Sequence, residues 1–194
     1  MARDFSRIVV YGITSVGKTT TTKELGKILQ SAVIILDDVF WGPNWEMPTT
    51  ESFQKKVKEL ISKKKKWVVD GNYSKVRPFI LPKATFAVIL DLPLHVILWR
   101  IFSRTVSRNT FIRIHEPTPL PKRVEESGNG ETVFQSLYDL SYYAIRSKKR
   151  KKIPGIIKEV RNELGDNNYI VLSKQSDIDT FLNRIRKIEG QGTT

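Results

Sequence analysis

The chain has 194 residues, of which 40% are hydrophobic, so it is long enough for one domain with a real core. It has no cysteine, which excludes disulfides and thiolate metal sites. It also lacks a signal-peptide core or an apolar run able to span a bilayer, so we expect a cytoplasmic protein. The net charge of +13 favours anionic partners such as nucleotides, phosphorylated metabolites, nucleic acid or an acidic surface.

The first predicted elements enclose a phosphate-binding motif. The apolar run Arg7–Tyr11 predicts a buried strand, and Thr20–Gln30 predicts a helix with apolar residues on one side. Between them, Gly12–Thr19 fits the P-loop pattern G-x-x-x-x-G-K-[ST]. An ordinary glycine turn is the alternative, but the preceding strand, the following helix and the Lys-Thr pair favour a phosphate site.

The chemistry of a P-loop assigns roles to these residues. Glycines let successive backbone N–H groups point at an anion, Lys18 adds a cation for the β- and γ-phosphates, and the Thr19 hydroxyl can ligate Mg²⁺. We therefore expect ATP and Mg²⁺ as cofactors. The residues expected to bind the nucleotide here are Gly12, Thr14, Ser15, Val16, Gly17, Lys18, Thr19 and Thr20.

Two carboxylates follow the second predicted strand. Ala32–Leu36 is an apolar, β-branched run that ends at Asp37 and Asp38. In open α/β sheets, ligands bind beyond the carboxyl ends of the strands. The pair can therefore contact Mg²⁺ or accept the proton of a substrate hydroxyl, and a capping or turn role is the alternative.

An aromatic segment comes next. Phe40, Trp41 and Trp45 lie in a stretch that contains Gly and Pro, before a helix predicted over Thr49–Lys64. With Asp38, they are expected to contact the acceptor substrate. The aromatic side chains can form a wall of the acceptor pocket or a hydrophobic plug under the loop, and the sequence does not choose between these.

The third predicted strand, Trp67–Asp70, also ends in an acid. Asp70 takes a Walker-B-like position, where a carboxylate holds Mg²⁺, usually through water. The residues that follow the strand lie at the same rim, and we expect them to contact the acceptor. They are Gly71, Asn72, Tyr73 and Arg77.

Arginines recur on the helix predicted over Leu94–Ser107. Arg100, Arg104 and Arg108 are four residues apart and share one helical face, which favours phosphate binding over a solvated basic face. The following segment, 109–131, is rich in Pro, Gly and charge. We expect it to form a lid over the nucleotide.

Two basic runs raise nucleic acid as an alternative partner. Lys63–Lys66 follow a predicted helix, whose dipole they complement, and Lys148–Lys152 follow the helix predicted over 132–147. The chain has no RNA- or DNA-binding motif, and neither run is interleaved with aromatic residues. Nucleic acid is therefore not the favoured partner.

The remaining elements complete an alternating pattern. They are strands at Ala84–Leu90 and Asn168–Leu172 and helices over 156–164 and 177–188, the former after a break at Pro154-Gly155. Five strands alternating with helices predict a three-layer α/β domain with a parallel sheet. We expect a single domain over residues 1–189, an acceptor-binding insertion at about 38–66, a lid at about 109–131 and a disordered tail at 190–194.

Together these motifs resemble the adenylate kinase family. The match rests on the P-loop, Asp70-Gly71, Asp91-Leu92-Pro93 and the helical arginines. More closely, the chain resembles the bacterial adenylate kinase-related or topology modulation protein group of P-loop kinases. The segments that carry this closer likeness are Leu36–Trp41, Pro43–Trp45, Asp70–Ser74, Asp91–Pro93 and Leu98–Arg100.

The resemblance implies a nucleoside-monophosphate-kinase-like fold with sheet order 2-3-1-4-5 and lid and acceptor-binding insertions. It also implies that Asp70 holds the water shell of Mg²⁺ and that Arg100 lies against the adenine. The other implied contacts are Arg104 with phosphates, Arg146 or Arg150 with the transferring group, and the turn Ser173–Ser176, including Lys174, with the base.

The acceptor side departs from the adenylate kinase pattern. Adenylate kinases have Asp-Gly-Phe-Pro-Arg at the third strand, where this chain has Asp-Gly-Asn-Tyr-Ser. The acidic pair Asp37-Asp38 is more similar to kinases of hydroxyl-bearing small molecules, such as shikimate or gluconate kinases. We therefore expect an ATP-dependent kinase for a hydroxyl or phosphate acceptor. The alternatives are a nucleoside monophosphate kinase, a nucleotide-dependent nucleic-acid-binding protein and a non-catalytic nucleotide sensor.

Overall fold

The computed structural model describes residues 3–40, 48–111 and 131–191, and the side chains in those ranges except 104–111, 131–136 and 191. Several predictions therefore fall outside the description, namely Trp41, Trp45, most of the expected lid, and the side chain of Arg104. No helix in the described ranges is long and apolar enough to cross a membrane.

A five-stranded parallel sheet forms the centre of the fold. Its strands are β1 (Arg7–Gly12), β2 (Ala32–Ile35), β3 (Trp67–Asp70), β4 (Phe86–Leu90) and β5 (Tyr169–Leu172). The order β2-β3-β1-β4-β5 confirms the predicted parallel sheet and the order that the resemblance implies. Every residue of β3 and β4 is buried, as expected for apolar strands that are covered on both faces.

Helices connect the strands and complete the predicted three-layer α/β architecture. They are α1 (Lys18–Ile28), α2 (Leu36–Phe40), α3 (Thr50–Ser62), α4 (Arg77–Ile80), α5 (Leu94–Phe111), α6 (Glu131–Lys149), α7 (Lys152–Leu164) and α8 (Gln175–Gln191), with a 3₁₀ turn at Leu81–Lys83. Helix α1 packs against α8, whereas α5 packs against α6 and α6 against α7. Their apolar faces close the core on the sheet.

Some element boundaries differ from the prediction. Helix α7 begins at Lys152, so the break expected at Pro154-Gly155 was wrong. The chain turns instead at Lys151, whose φ is 48°, and proline is tolerated in the first helical turn because its missing N–H has no partner there. Helix α5 continues to Phe111 and α8 to Gln191, so the first residues assigned to the lid and to the tail are helical.

The parallel register gathers the expected phosphate-binding elements at one edge of the sheet. Val10 of β1 pairs with Asp70 of β3, and Asp70 pairs in turn with Ile35 of β2. The P-loop after β1, the acid that ends β3 and the start of α2 therefore lie side by side. This is the carboxyl edge, where ligands bind in open α/β sheets.

Candidate active site

The loop between β1 and α1 has the shape of an anion site. Ser15 (φ 57°) and Gly17 (φ 100°) adopt left-handed backbone conformations, which glycine takes at little cost. Helix α1 begins at Lys18, two residues before the predicted start, and no side chain caps its N-terminus. Its free N–H groups and dipole are therefore left for a phosphate. Ser15 Oγ is buried without a hydrogen-bond partner, which leaves it available to a ligand.

Side chains hold three carbonyl oxygens of this loop. The bonds run from Lys18 Nζ to the Ile13 carbonyl (3.1 Å), from Arg100 NH1 to the Val16 carbonyl (2.6 Å) and from Asn72 Nδ2 to the Gly12 carbonyl. The C=O and N–H groups of one peptide unit point in opposite directions. Fixing the carbonyls therefore also fixes the direction of the adjoining N–H groups, which are the groups that bind phosphate in such loops.

Lys18 lies at the electrostatic centre of the site. Burial lowers the pKa of its ammonium group, and the carboxylates of Asp70 and Asp37 partly offset that effect. The positive charge of Lys152 lowers the pKa further. A buried cation without a full counter-charge is costly, and a bound phosphate would supply that charge.

Thr19 and Asp70 form the position expected for Mg²⁺. Thr19 Oγ1 donates a hydrogen bond to Asp70 Oδ2 at 2.5 Å, while Asp70 Oδ1 is buried and has no partner. Asp70 is 2% exposed; burial raises the pKa of its carboxyl group, and Lys18 and Thr19 oppose that rise. Hydroxyl and carboxylate oxygens suit Mg²⁺, which proteins commonly hold with one or two carboxylates plus phosphates, so these residues fit the ion. The described residues contain no cluster of three or more metal-binding side chains.

Asp37 and Asp38 lie just beyond β2, as expected, but in a short helix, and Leu36 begins that helix instead of ending the strand. Strand β2 ends at Ile35 and α2 begins at Leu36, which places both acids in the first helical turn, where they complement the dipole. The turn is possible because Leu36 packs on Gly71. A Cβ atom on Gly71, whose φ is 143°, would lie only 2.8 Å from Leu36 Cβ.

The two acids are not equivalent. Both acids are exposed, but Asp37 lines the cavity beside the P-loop and accepts a hydrogen bond from the Tyr73 hydroxyl at 2.7 Å, whereas Asp38 does not line that cavity. Burial and the bond to Asp37 raise the pKa of the Tyr73 hydroxyl, so it stays protonated as a donor. Of the pair, Asp37 therefore faces the space beside Lys18.

Phe40, Phe53 and Tyr73 form an aromatic cluster. The centroid of the Phe40 ring lies 5.1 Å from both other rings, and Phe53 and Tyr73 are 5.2 Å apart. Phe53 is fully buried, while Phe40 and Tyr73 are half-buried. Of the two interpretations open for Phe40, the hydrophobic plug matches this packing. Packing in the cluster also holds the ring of Tyr73, whose hydroxyl donates to Asp37.

Two residues expected to contact the acceptor instead bond to other residues of the chain. Arg77 is buried, pairs with Glu159 at 2.5 Å and lies 5.5 Å from the centre of the Tyr11 ring. It therefore joins α4 to α7 and does not line the cavity. Asn72, through its bond to the Gly12 carbonyl, supports the P-loop.

A cavity of about 1040 Å³ adjoins the P-loop and has room for a nucleotide. Its lining comprises residues 14–21, Glu24, Asp37, Arg100, Ser103, Gln175, Ile178, Asp179, Leu182, Asn183 and Arg186. Arg100 also donates to Gln175 Oε1 and so links the P-loop to α8, whereas Lys174 does not line the cavity. The α8 wall was missed from the sequence, because its polar residues are those of any amphipathic helix until the fold brings them opposite α1.

The cations near the end of α6 occupy different surroundings from those expected. Arg146 and Arg150 are exposed and do not line the cavity. Lys152 does not line the cavity either, but its positive charge lowers the pKa of Lys18, and partial burial and Arg77 lower its own pKa. In the sequence, Lys152 is one member of a basic run, and no pattern distinguishes it from its neighbours.

Comparisons with known proteins find distant structural neighbours. No protein-family model matches the chain, and no curated protein is similar to it in sequence. Its fold is similar to a shikimate kinase from Bacteroides thetaiotaomicron, with 14% identity over 94% of this chain and 97% of that chain and a TM-score of 0.46. It is also similar to a gluconokinase from Sinorhizobium meliloti 1021, with 12% identity over 100% of both chains and a TM-score of 0.49.

A third neighbour is a shikimate kinase from Acinetobacter baumannii in complex with shikimate, with 17% identity over 98% of this chain and 96% of that chain and a TM-score of 0.49. Such distant likenesses carry no activity, substrate or site residue over to this chain. The closer resemblance to the adenylate kinase-related group is not confirmed by these neighbours. What can be said of the chemistry comes from the site itself.

Proposed function

We propose that this protein is a kinase that transfers the γ-phosphoryl group of ATP to a hydroxyl group of a small molecule. The observation that carries the proposal is the arrangement around Lys18. The P-loop, the Thr19–Asp70 pair and the carboxylate of Asp37 converge beside one nucleotide-sized cavity. A phosphate site, a magnesium position and a proton acceptor are the parts that phosphoryl transfer requires.

Different residues would bind ATP, the phosphoryl donor, and the acceptor substrate. The N–H groups of the P-loop would bind the β- and γ-phosphates, and the ammonium of Lys18 would stabilise the charge that develops on the transferring group. Thr19 and Asp70 would hold Mg²⁺, which supplies further charge neutralisation when bound. Arg100 fixes the wall of the cavity between the P-loop and α8.

Asp37 would act on the acceptor. One of its oxygens accepts the Tyr73 hydroxyl, which leaves the other for the acceptor hydroxyl. That hydroxyl oxygen forms a bond to the γ-phosphorus, the bond from phosphorus to the β,γ-bridging oxygen breaks, and the hydroxyl proton passes to Asp37. ADP and a phosphate ester are the products. A carboxylate at this place would repel an acceptor that is already a phosphate, so a hydroxyl acceptor is favoured over a nucleoside monophosphate.

The test is an ADP-release screen over sugars, hydroxy acids, nucleosides and nucleoside monophosphates with Mg²⁺-ATP. We expect turnover with one class of hydroxyl compound. Asp37→Asn should lower kcat for that acceptor by about 100-fold or more, the usual contribution of a positioned base. Asp38→Asn is the matched control, because it removes the neighbouring carboxylate of the same helical turn, and it should change kcat by only a few-fold.

Two results would contradict the proposal. ADP release that occurs only with nucleoside monophosphates and is unchanged in Asp37→Asn would identify a phosphate acceptor instead. Tight ATP binding with no turnover on any acceptor or on water would identify a nucleotide sensor.

A further inference from the structure

The exposed face of α6 carries aromatic and basic side chains in one row. Tyr138, Tyr142, Arg146 and Lys149 are spaced by four, four and three residues, so they share one side of the helix. All four are exposed, Tyr138 at 66% and Tyr142 at 45%. We call this row the tyrosine–arginine stripe. It places two tyrosines and then two cations on one face, which the linear sequence conceals because the members are about a helical turn apart.

The rings of the stripe are already aligned. Those of Tyr138 and Tyr142 have centroids 6.3 Å apart and planes within 12° of parallel. Arg146 donates from NH1 to the Tyr142 hydroxyl at 2.8 Å, and its guanidinium carbon lies 5.7 Å from the Tyr142 ring centre. The ring spacing matches the rise of about 6 Å over four helical residues. The stripe thus presents aromatic faces at regular intervals beside a cation.

The stripe does not serve the core or the proposed active site. Helix α6 buries the opposite side, where Ala144 is fully covered and Leu137 and Leu140 pack against the core. None of the stripe's residues lines the nucleotide cavity. Large aromatic side chains exposed in a cluster commonly mark a binding surface.

Charge indicates what kind of partner fits. The stripe runs into the exposed cations Arg150 and Lys151, on a chain of net charge +13. Asp139 is an acid at the edge of the stripe, three residues before Tyr142, so the cations outnumber the acid on this surface. A partner that offers both flat apolar rings and regularly spaced negative charges matches this surface.

We infer that the tyrosine–arginine stripe binds single-stranded nucleic acid. Bases would stack on Tyr138 and Tyr142, and phosphates would contact Arg146 and Lys149. A duplex hides the faces of its bases, so it would use only the cations. An anionic membrane would use the cations too, but it offers no flat rings to stack on Tyr138 and Tyr142. The inference does not depend on the proposed kinase activity.

The test measures fluorescence anisotropy of a labelled oligothymidylate of about a dozen nucleotides, a length within the usual site sizes. We expect the wild-type protein to bind it, with a log–log salt slope of about −1.4 if Arg146 and Lys149 each neutralise one phosphate. The double variant Tyr138→Ala/Tyr142→Ala should bind at least tenfold more weakly with an unchanged salt slope, because stacking is lost while the phosphate contacts remain. Its turnover of ATP should equal that of the wild type.

The matched control is Trp99→Ala/Phe102→Ala. It removes two rings of similar exposure, 65% and 49%, from α5, and it should bind the oligonucleotide as the wild type does. Tyr138→Phe/Tyr142→Phe keeps the rings and should retain most of the affinity, which separates stacking from any loss of folding. Circular dichroism checks the fold of every variant.

Several outcomes would overturn the inference. They include equal affinity of the alanine variant and the wild type, an equal loss in the α5 control, and equal binding of a duplex of the same length. Failure of the wild type to bind the oligonucleotide, with binding to phosphatidylserine vesicles instead, would assign the stripe to a membrane surface.

Discussion

Lys18 and Asp70 each carry a charge that the ligand-free fold disfavours. Burial lowers the pKa of the Lys18 ammonium and raises the pKa of the Asp70 carboxyl group, and each group only partly compensates the other. A basic and an acidic group whose pKa values are both shifted, and which lie side by side at a cavity, are typical of functional sites. Such residues stabilise a bound ligand at the expense of the empty protein.

Replacing Lys18 by methionine should therefore separate activity from stability. Transfer of the phosphoryl group should be abolished, while the ligand-free variant should melt at a temperature equal to or above that of the wild type at neutral pH. A lysine whose pKa is lowered by folding contributes stability that is present above the unfolded-state pKa of about 10.4 and is lost as the pH falls through the folded-state pKa. The difference in melting temperature between variant and wild type should thus shrink as the pH rises toward the unfolded-state pKa of about 10.4. Differential scanning fluorimetry over a pH series measures it, and transfer at near wild-type rate would contradict the P-loop assignment.

At the scale of elements, the sequence was most informative where one short segment contains the whole signal. Gly12–Thr19 defines the P-loop by itself, and the alternation of strands and helices predicts the parallel sheet. The start of α2 at Leu36 could not be predicted in the same way. It depends on contact with Gly71, which is distant in the chain.

The same limit explains the other misses. Gln175 lies in the turn expected to border the base, but its bond to Arg100 could not be predicted from the sequence, and neither could the effect of Lys152 on Lys18. Arg77 looked like a ligand-binding residue because nothing in the sequence shows that Glu159 lies opposite it. Structure that is encoded in one short segment can be predicted from sequence, whereas contacts between residues that are distant in the chain cannot.

The junction of β3 and α2 gives a prediction at this scale. Gly71→Ala should destabilise the protein by about 1–3 kcal/mol, because the added Cβ meets Leu36 and the backbone is strained at φ 143°. It should also lower kcat, since displacing Leu36 moves Asp37. Gly165→Ala is the matched control. Gly165 has a φ of 78°, but a Cβ there would have no atom within 4 Å, so it should show backbone strain without the clash or the loss of kcat.

Urea denaturation and steady-state kinetics of the two glycine variants measure these effects. Equal stability and equal kcat in both would show that the contact between Gly71 and Leu36 does not position the acid.

At the scale of the whole molecule, stability and ligand binding are linked through Asp70. A carboxyl group whose pKa is raised by folding contributes stability that is present below the unfolded-state pKa of about 3.9 and is lost as the pH rises through the folded-state pKa. At neutral pH the charged, buried Asp70 therefore costs stability in the ligand-free protein. Bound Mg²⁺-ATP would reverse that cost.

Asp70→Asn should accordingly raise the melting temperature of the ligand-free protein by a few degrees at neutral pH, and this gain should disappear as the pH falls toward 4. The wild type should gain about 2.7 kcal/mol of stability at a ligand concentration of about 100 times Kd. Most of the Mg²⁺-dependent part of that gain should be absent from the variant. Thermal shifts with ATP, with and without Mg²⁺, provide the measurement, and an equal Mg²⁺-dependent shift in both proteins would place the metal elsewhere.

The three bonds to the P-loop carbonyls have a kinetic and entropic consequence. Asn72, Lys18 and Arg100 hold the loop from the end of β3, from α1 and from α5, through bonds within the chain itself. The conformational entropy of ordering the loop is then lost when the chain folds rather than when a phosphate arrives. The phosphate-binding loop is then already ordered when a phosphate arrives. The association rate constant of the nucleotide should therefore be governed by diffusion and by the positive electrostatic potential of the chain.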